Sequence, residues 1–417
     1  MTEFLTDDLL KTVAKSRGKI KNLKEENLCK HGENFVAILK EISFKIEAFD
    51  SNKESTHNVI IKFPNTEGFF YSAMSTFRGF ERETKVYSDL LQNVKKWQMQ
   101  KFGSIKYELP IPECLYSNTL KNVIIMENLK VQGFKMESSP ITGINYQQSE
   151  SVMKQLAVFH ALGYAYLDSF TNKSEFFEHY EYIKGTAPHQ FDELVKVMGL
   201  VKQMKNLSIT FIKVMNEKYP TEKKLFTKIS EFLSNYRSME PFYNFYTENS
   251  KFNVICHGDL WGNNILFNQD KMGVVNAKFV DLQLVKYCSP AADLLHFFWV
   301  SASEDVLSSH MDELINIYFN TFKAVVDDFN CIIEFSLPEL LKMVNTAHLA
   351  GYSRYVMQAM STFGKDGKVV KDFPNAKEEG MDSFFKQTID LMQIADDDLL
   401  NHCLFRTKFA ESLKLFN

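Results

Sequence analysis

Two stretches in the second half of the chain carry polar side chains of the type and spacing that phosphoryl transfer requires. HGDLWGNNILF (257–267) holds His257-x-Asp259 and, five residues after the aspartate, Asn264. Asp281 follows 22 residues after Asp259, within NAKFVDLQLV (276–285). Moving a phosphoryl group from ATP to a hydroxyl depends on positioning and charge neutralisation more than on covalent chemistry. It needs a carboxylate facing the acceptor hydroxyl, oxygen ligands for Mg2+ between the phosphates, and a cation on the α/β-phosphates. Asn264 and Asp281 offer an amide carbonyl and a carboxylate, hard donors suited to Mg2+. Asp259 is then left as base or orienter.

The cation is expected upstream. Lys62 ends the apolar run NVIIK, and Glu83 follows 21 residues later in FERETKVYSDLLQNVKKW (80–97). The spacing of Phe80, Glu83, Val86, Tyr87 and Leu90 places them on one helix face. A strand lysine held by a helix glutamate is a usual way to present a cation to phosphates. MENL (126–129) follows the next strand, NVIIMENL (122–129), and forms the expected hinge that meets adenine through backbone groups; Glu127 and Leu129 are its candidate contacts. H-x-D-x4-N resembles the catalytic loop of protein kinases, and Asp281 resembles the later metal-binding Asp of those enzymes.

Other polar residues have simpler readings. His257 reads as a hydrogen-bonding loop residue, His160 as a packed core histidine and Asn263 as a solvated loop residue. Asp293, after Pro290, either caps a helix or anchors the catalytic loop through backbone N–H groups. Phe297-Phe298-Trp299 reads as core.

These residues need elements to position them. FVAILKEISFKIEAF (35–49) and NVIIKF (58–63) read as a strand pair around a polar turn at 51–57, with Pro64 closing the second strand. Residues 1–30 are polar and read as at most a short helix. Strand, strand, helix, strand describes a small lobe. SVMKQLAVFHALGYAYL (151–167) and amphipathic stretches in 190–240 are helical. The catalytic segment reads strand–loop–strand, with Asp281 on a third strand at 276–285. Helices fill 293–417, with no separate C-terminal domain. The expected fold is α+β: a bilobal protein-kinase-like arrangement with a small N-lobe (1–129) of antiparallel sheet and one helix, and a larger, mainly helical C-lobe (130–417).

Bulk properties agree with this and exclude other classes. The chain has 417 residues, enough for two lobes. Its 48 Lys+Arg against 52 Asp+Glu leave a net charge of −4, which gives no electrostatic reason for a nucleic-acid or membrane partner. The six cysteines form no CxxC motif and are sparse for a disulfide scaffold, so reduced thiols in the cytoplasm are expected. There is no secretory signal and no long apolar run.

Beyond single residues, the chain from Gly32 to about residue 325 resembles the choline/aminoglycoside-kinase-like superfamily and, within it, the ecdysteroid-kinase-like family. The resemblance is carried by GEN (32–34), IIKFP (60–64), FERETKVY (80–87), IIMENLKVQGFKM (124–136), LAVFHALGYA (156–165), HGDLWGNNILF (257–267) and KFVDLQLVKYCSPAADLLHFF (278–298). It implies ATP in a cleft, Asp259 as catalytic Asp, Mg2+ on Asn264 and Asp281, and Lys62 on the phosphates supported by Glu83. It puts the phosphate-binding loop at 32–37, with Asn34 helping to cradle the phosphates. The chain departs from protein kinases there: only Gly32 is present of their glycine pattern. Asp281 is followed by Leu282-Gln283 rather than Phe-Gly, and no activation segment follows, which argues against a protein substrate.

The resemblance implies a small-molecule alcohol as acceptor, an ecdysteroid or similar lipophilic metabolite, with no obligate protein partner. A cationic alcohol such as choline or an aminoglycoside is the alternative acceptor. A catalytically silent nucleotide- or ligand-binding module of the same fold is the other alternative.

Overall fold

The computed structural model describes residues 5–28, 37–49, 53–65, 78–136, 141–184, 200–234, 252–362 and 397–416. The N-terminal part is a five-stranded antiparallel sheet in the order β1-β2-β3-β5-β4, built from β1 (Gly18–Asn27), β2 (Ala37–Ala48), β3 (Glu54–Pro64), β4 (Cys114–Asn118) and β5 (Val123–Glu127). Strand alternation gives the sheet two buried faces. Ile42, Phe44, Ile46, Val59, Ile61, Val123 and Ile125 pack on one side against Leu5, Leu10 and Val13. Leu10 and Val13 belong to the short helix α1 (Asp7–Val13), capped by the Thr6 hydroxyl accepting from Leu9 N. Ile60, Ile124 and Met126 face the other way and join the main core with Val86, Tyr87 and Leu90.

That parity decides where Lys62 goes. Two residues beyond Ile60 on β3, it lies on the face covered by the helix. The helix runs as α2 (Gly79–Lys85), a π-helical turn (Val86–Leu90) and α3 (Leu91–Phe102). Phe80, Glu83, Val86, Tyr87 and Leu90 are all buried on its inner side, as their spacing indicates.

The N-terminal stretch is more than a short helix. After α1, Gly18–Asn27 forms the edge strand β1, paired with β2 from Gly18↔Ala48 to Asn27↔Lys40. Its register is held by cross-strand charge pairs such as Lys21–Glu47 at 2.8 Å rather than by an apolar stripe, so hydrophobic periodicity is silent there. The β2–β3 turn is also tighter than 51–57. β3 begins at Glu54, opposite Glu47, because polar residues at the exposed end of a hairpin still complete the ladder.

The remainder is mainly helical. A long helix, α4 (Tyr146–Asp168), opens with a capping box between Asn145 and Gln148 and buries Val152, Leu156, Phe159 and His160. Two small sheets carry the segment around Asp259. One pairs β7 (Val254–Cys256) with β10 (Lys286–Cys288), and the other has the order β6-β8-β9 with β6 (Lys135–Met136), β8 (Ile265–Gln269) and β9 (Val275–Phe279). Short helix α5 (Lys173–His179) precedes α6 (Leu200–Lys218) and α7 (Lys223–Ser234). Beyond β10 come α8 (Ala291–Val300), α9 (Met311–Asp328), α10 (Leu337–Thr362) and α11 (Asp397–Ser412). Residues of all four bury apolar side chains in the same core as α4. The whole is the bilobal α+β arrangement expected from the sequence.

Every residue of α8 is buried, including Phe297, Phe298 and Trp299. Its C-terminal end is closed by Arg406 of α11, whose Nε donates to Trp299 O at 2.8 Å and Nη2 to Ala302 O at 2.6 Å. Helix α10 lies directly on the Trp299 indole because Gly351 has no side chain; a Cβ there would sit 2.2 Å from Trp299 Cδ1. Gly351→Ala is therefore expected to lower unfolding free energy by about 2 kcal/mol through overpacking, measured by denaturant titration.

Candidate active site

The loop that carries Asp259 runs from His257 to Trp261 and closes in a 3-10 turn at Gly262–Asn264 before β8. Its first turn requires glycine. Gly258 has φ +81°, and a Cβ there would meet Leu284 O at 2.0 Å. The loop hangs from one buried carboxylate. Asp293, in the first turn of α8, accepts from His257 N at 2.6 Å and from Gly258 N at 2.8 Å. His160 Nε2 lies 3.0 Å from the same carboxylate, and its Nδ1 lies 2.8 Å from the Tyr318 hydroxyl. Burial pushes the Asp293 carboxyl up, but its partners, the His160 hydrogen bond first among them, outweigh this and hold it below the ordinary carboxylate value. Of the two roles foreseen for Asp293, its contacts are those of the loop anchor.

His257 ties the loop to the next hairpin. Its Nε2 lies 3.0 Å from Val280 O, and its Nδ1 accepts from Asp259 N at 3.3 Å. These contacts assign the tautomer with hydrogen on Nε2. Asp259 is held by both carboxylate oxygens. Asn264 Nδ2 donates to Asp259 O at 2.9 Å and to Oδ2 at 3.0 Å, while Arg354 Nη2 donates to Oδ1 at 2.8 Å. With its nitrogen turned to Asp259, Asn264 presents Oδ1 the other way.

The β8–β9 hairpin delivers Asp281. Pairing of Ile265 with Phe279 leaves Asn264 and Val280 just past the ladder, where Val280 N donates to Asn264 O at 3.0 Å. Asp281 is not on the strand, as the apolar run suggested. β9 ends at Phe279, and Asp281 has left-handed backbone, φ 69°. A carboxylate continued along the strand would alternate with its neighbours; the left-handed residue instead turns the chain out of the ladder.

Lys62 joins the two parts. Its Nζ lies 2.8 Å from Glu83 Oε2 and 2.7 Å from Asp281 Oδ1, with side-chain exposures of 5% for Lys62, 1% for Glu83 and 22% for Asp281. Glu83 Oε1 also accepts from Leu282 N at 3.1 Å. Burial pushes the Lys62 ammonium down, but the charges of Asp281 and Glu83 outweigh it and raise it, so it stays protonated. Burial pushes the Glu83 carboxyl up, and Lys62 opposes that shift. Arg82, beside Glu83, donates to Gln283 O of the same loop at 2.9 Å and to Tyr182 O, in a separate turn, at 2.8 Å.

The structure thus brings Lys62, Glu83, Asp281, Asn264 and Asp259 together. The hinge candidates are engaged otherwise. Glu127 pairs with Lys278 at 2.8 Å and accepts from Gln132 at 2.6 Å, while Leu129 is buried and its carbonyl accepts from Phe134 N. Glu127 N also donates to Glu113 O at 3.0 Å, so backbone as well as side-chain groups of this segment are engaged. Asn34 lies outside the described residues. Asn263 is exposed on the loop. Sequence reasoning missed Arg82 and Arg354. Arg82 had a signal, since it abuts Glu83 in FERETK. Arg354 had none: it stands in an ordinary helix 95 residues from its partner.

Asp293→Asn is expected to destabilise the fold by about 3 kcal/mol, because an amide cannot replace both charged acceptor oxygens facing buried N–H groups. The folded-state Asp293 value is depressed, so its contribution is present above the unfolded carboxylate pKa and is lost as pH falls through the folded one. Denaturant curves of wild type and variant should therefore converge in acid and stay apart at neutral pH.

A sequence model of the ecdysteroid kinase-like family matches residues 31–331, a span that includes all of these positions except Arg354. Comparison with curated proteins finds no match. Among solved structures, an ethanolamine kinase of Plasmodium vivax is similar at 12% identity and TM-score 0.43, covering 95% of this chain and 84% of that chain. The GDP complex of wild-type aminoglycoside 2'-phosphotransferase-IIIa is similar at 13% identity and TM-score 0.42, covering 92% and 94%. No helix among the described residues is long and apolar enough to cross a membrane. The family match takes in most of the chain, and the chain belongs to the ecdysteroid kinase-like family.

Proposed function

We propose that this protein is a small-molecule kinase that transfers the γ-phosphoryl group of ATP to an alcohol hydroxyl, with an ecdysteroid or similar lipophilic metabolite as acceptor. The observation that carries this reading is the buried Lys62–Glu83–Asp281 cluster, closed at 2.7–2.8 Å beside the Asp259–Asn264 loop. A strand lysine, a helix glutamate and a carboxylate at the mouth of a hairpin have no structural need to meet at such depth. As a device for presenting a cation and a metal ligand to a triphosphate, the arrangement has a purpose.

The donor set fits Mg2+. Asn264 Oδ1 and the partly exposed Asp281 carboxylate are hard oxygens that would hold it. Bound there, Mg2+ would neutralise charge between the phosphates. Lys62, which rests on Asp281, would turn to the phosphates while Glu83 retains it. Asp259, oriented by Asn264, would receive the acceptor proton. A cationic acceptor of the choline or aminoglycoside kind fits less well, since it would meet Arg354 at the same carboxylate. The ecdysteroid part of the reading rests on the family, not on a pocket.

Incubation with MgATP and a panel of hydroxylated steroids, read by mass spectrometry, should yield a phosphate ester, and Asp259→Ala should lower turnover about 10^3-fold or more. Equal background from the variant would sink the reading. A thermal shift with ATP should require Mg2+ and weaken in Asp281→Asn. Binding that ignores Mg2+ and survives that substitution would favour a silent ligand-binding module instead.

A further inference from the structure

Arg354 is not needed to build the donor half of the site, yet it touches the group at its centre. Its Nη2 donates to Asp259 Oδ1 at 2.8 Å, and its Nε lies 3.3 Å from His296 Nε2. His296 lies on α8, and its Nε2 is 2.7 Å from Gln358 Oε1, one turn beyond Arg354 on α10. The guanidinium is thus placed between Asp259 and α8. Docking of α10 does not explain it, because Gly351 against Trp299 and the Tyr352–Trp299 ring contact already seat the helix. The ion pair is also not sealed in the core: the side chains remain 16% and 14% exposed.

Charge suggests what this position is for. The carboxylate of Asp259 has to lie close to a phosphoryl group that is itself negative. Lys62, Asn264 and Asp281 enter from β3 and the β8–β9 hairpin, on the donor side of the reaction. Arg354 reaches Asp259 from a different element, α10. The half-buried Lys286 adds positive charge nearby: burial pushes its ammonium down to about 8, with Arg82 and Arg354 pushing the same way. Cations crowded against one another in this way favour an anion among them.

We propose that Arg354 is a catalytic residue that bridges Asp259 and the transferring phosphoryl group, holding two negative groups together while the acceptor attacks. This rests on the kinase reading above. The acceptor oxygen forms a bond to the γ-phosphorus. The bond from that phosphorus to the β,γ-bridging oxygen breaks, and its electron pair leaves on ADP. The acceptor proton passes to Asp259. Arg354 stays charged throughout and adds the equatorial phosphoryl oxygens to its contact with Asp259. A guanidinium suits this because its planar fork can engage two oxyanions at once, which an ammonium does less well.

The test uses the full chain and needs no identified acceptor. Binding of MgADP is measured by calorimetry with and without aluminium fluoride, a mimic of the transferring phosphoryl group. Acceptor-independent ATP hydrolysis is followed in parallel. Wild type should bind MgADP and gain about tenfold or more in affinity with the fluoride. Arg354→Ala should bind MgADP alone as wild type does, lose that gain, and recover hydrolysis when guanidinium ion is added. Arg354→Lys should recover only part, and it carries the test if the alanine variant does not fold. An undiminished fluoride gain in either variant, no gain in wild type, or lysine equal to arginine would overturn the proposal. Failure of wild type to bind MgADP at all would instead overturn the kinase reading, and the proposal with it.

Discussion

The ammonium of Lys62 is almost completely removed from water, and much of the molecule follows from that. A lone charge at such depth costs several kcal/mol or more. It is tolerated because Glu83 and Asp281 meet it within 2.7–2.9 Å. The three come from a strand, a helix and a hairpin, so those elements have to dock in one register. A shift of β3 by one residue would turn Lys62 to the face where Val59 and Ile61 pack. A quarter turn of α2 would carry Glu83 away. The two buried faces of the sheet enforce the first condition, and the apolar stripe of the helix enforces the second. The cluster is not there to stabilise the fold, since hydrophobic residues would do that as well. It constrains how the fold can assemble.

How much of this was legible in the sequence depends on whether a residue's position follows from a local period. Lys62 and Glu83 could be found because strand alternation and helical spacing each state which way a side chain faces. Asp259 and Asn264 were legible because both lie in one short loop. Asp281 was recognised but assigned to the strand, since an apolar run does not show the residue at which the ladder ends. Strand β1 was hidden because charge pairs, not an apolar stripe, hold its register. Asp293 was ambiguous: a carboxylate after Pro290 can cap its own helix or accept from a distant loop, and only tertiary contact decides. Arg354 could not be read at all. Its partner lies 95 residues away, and nothing about an arginine within a helix signals which carboxylate it meets.

The anchoring of the loop shows a second pattern. Asp293 is reached by two backbone amides of the loop and by His160 from α4, and His160 is in turn met by Tyr318 from α9. The loop from His257 to Trp261 is therefore fixed by buried side chains of α8, α4 and α9. This explains why so hydrophobic a helix as α8 has a carboxylate in its first turn. A loop has few apolar contacts of its own, so its geometry has to be imposed through hydrogen bonds from rigid elements. Gly258 supplies the remaining condition, since only a residue without a side chain passes beneath Leu284 O.

One element beyond the matched family span bears on the same loop. Helix α10 lies past residue 331, yet it sends Arg354 to the Asp259 carboxylate; α11 sends Arg406 to close the end of α8. Lys62, Glu83, Asp259, Asn264 and Asp281 thus come from segments with recognisable motifs, while a contact on the Asp259 carboxylate comes from a helix outside the matched span. That division has a physical rationale. Lys62, Glu83, Asp259 and Asn264 lie in a strand, a helix and a short loop whose local patterns state which way a side chain faces, whereas Arg354 reaches Asp259 only through the packing of α10 on α8.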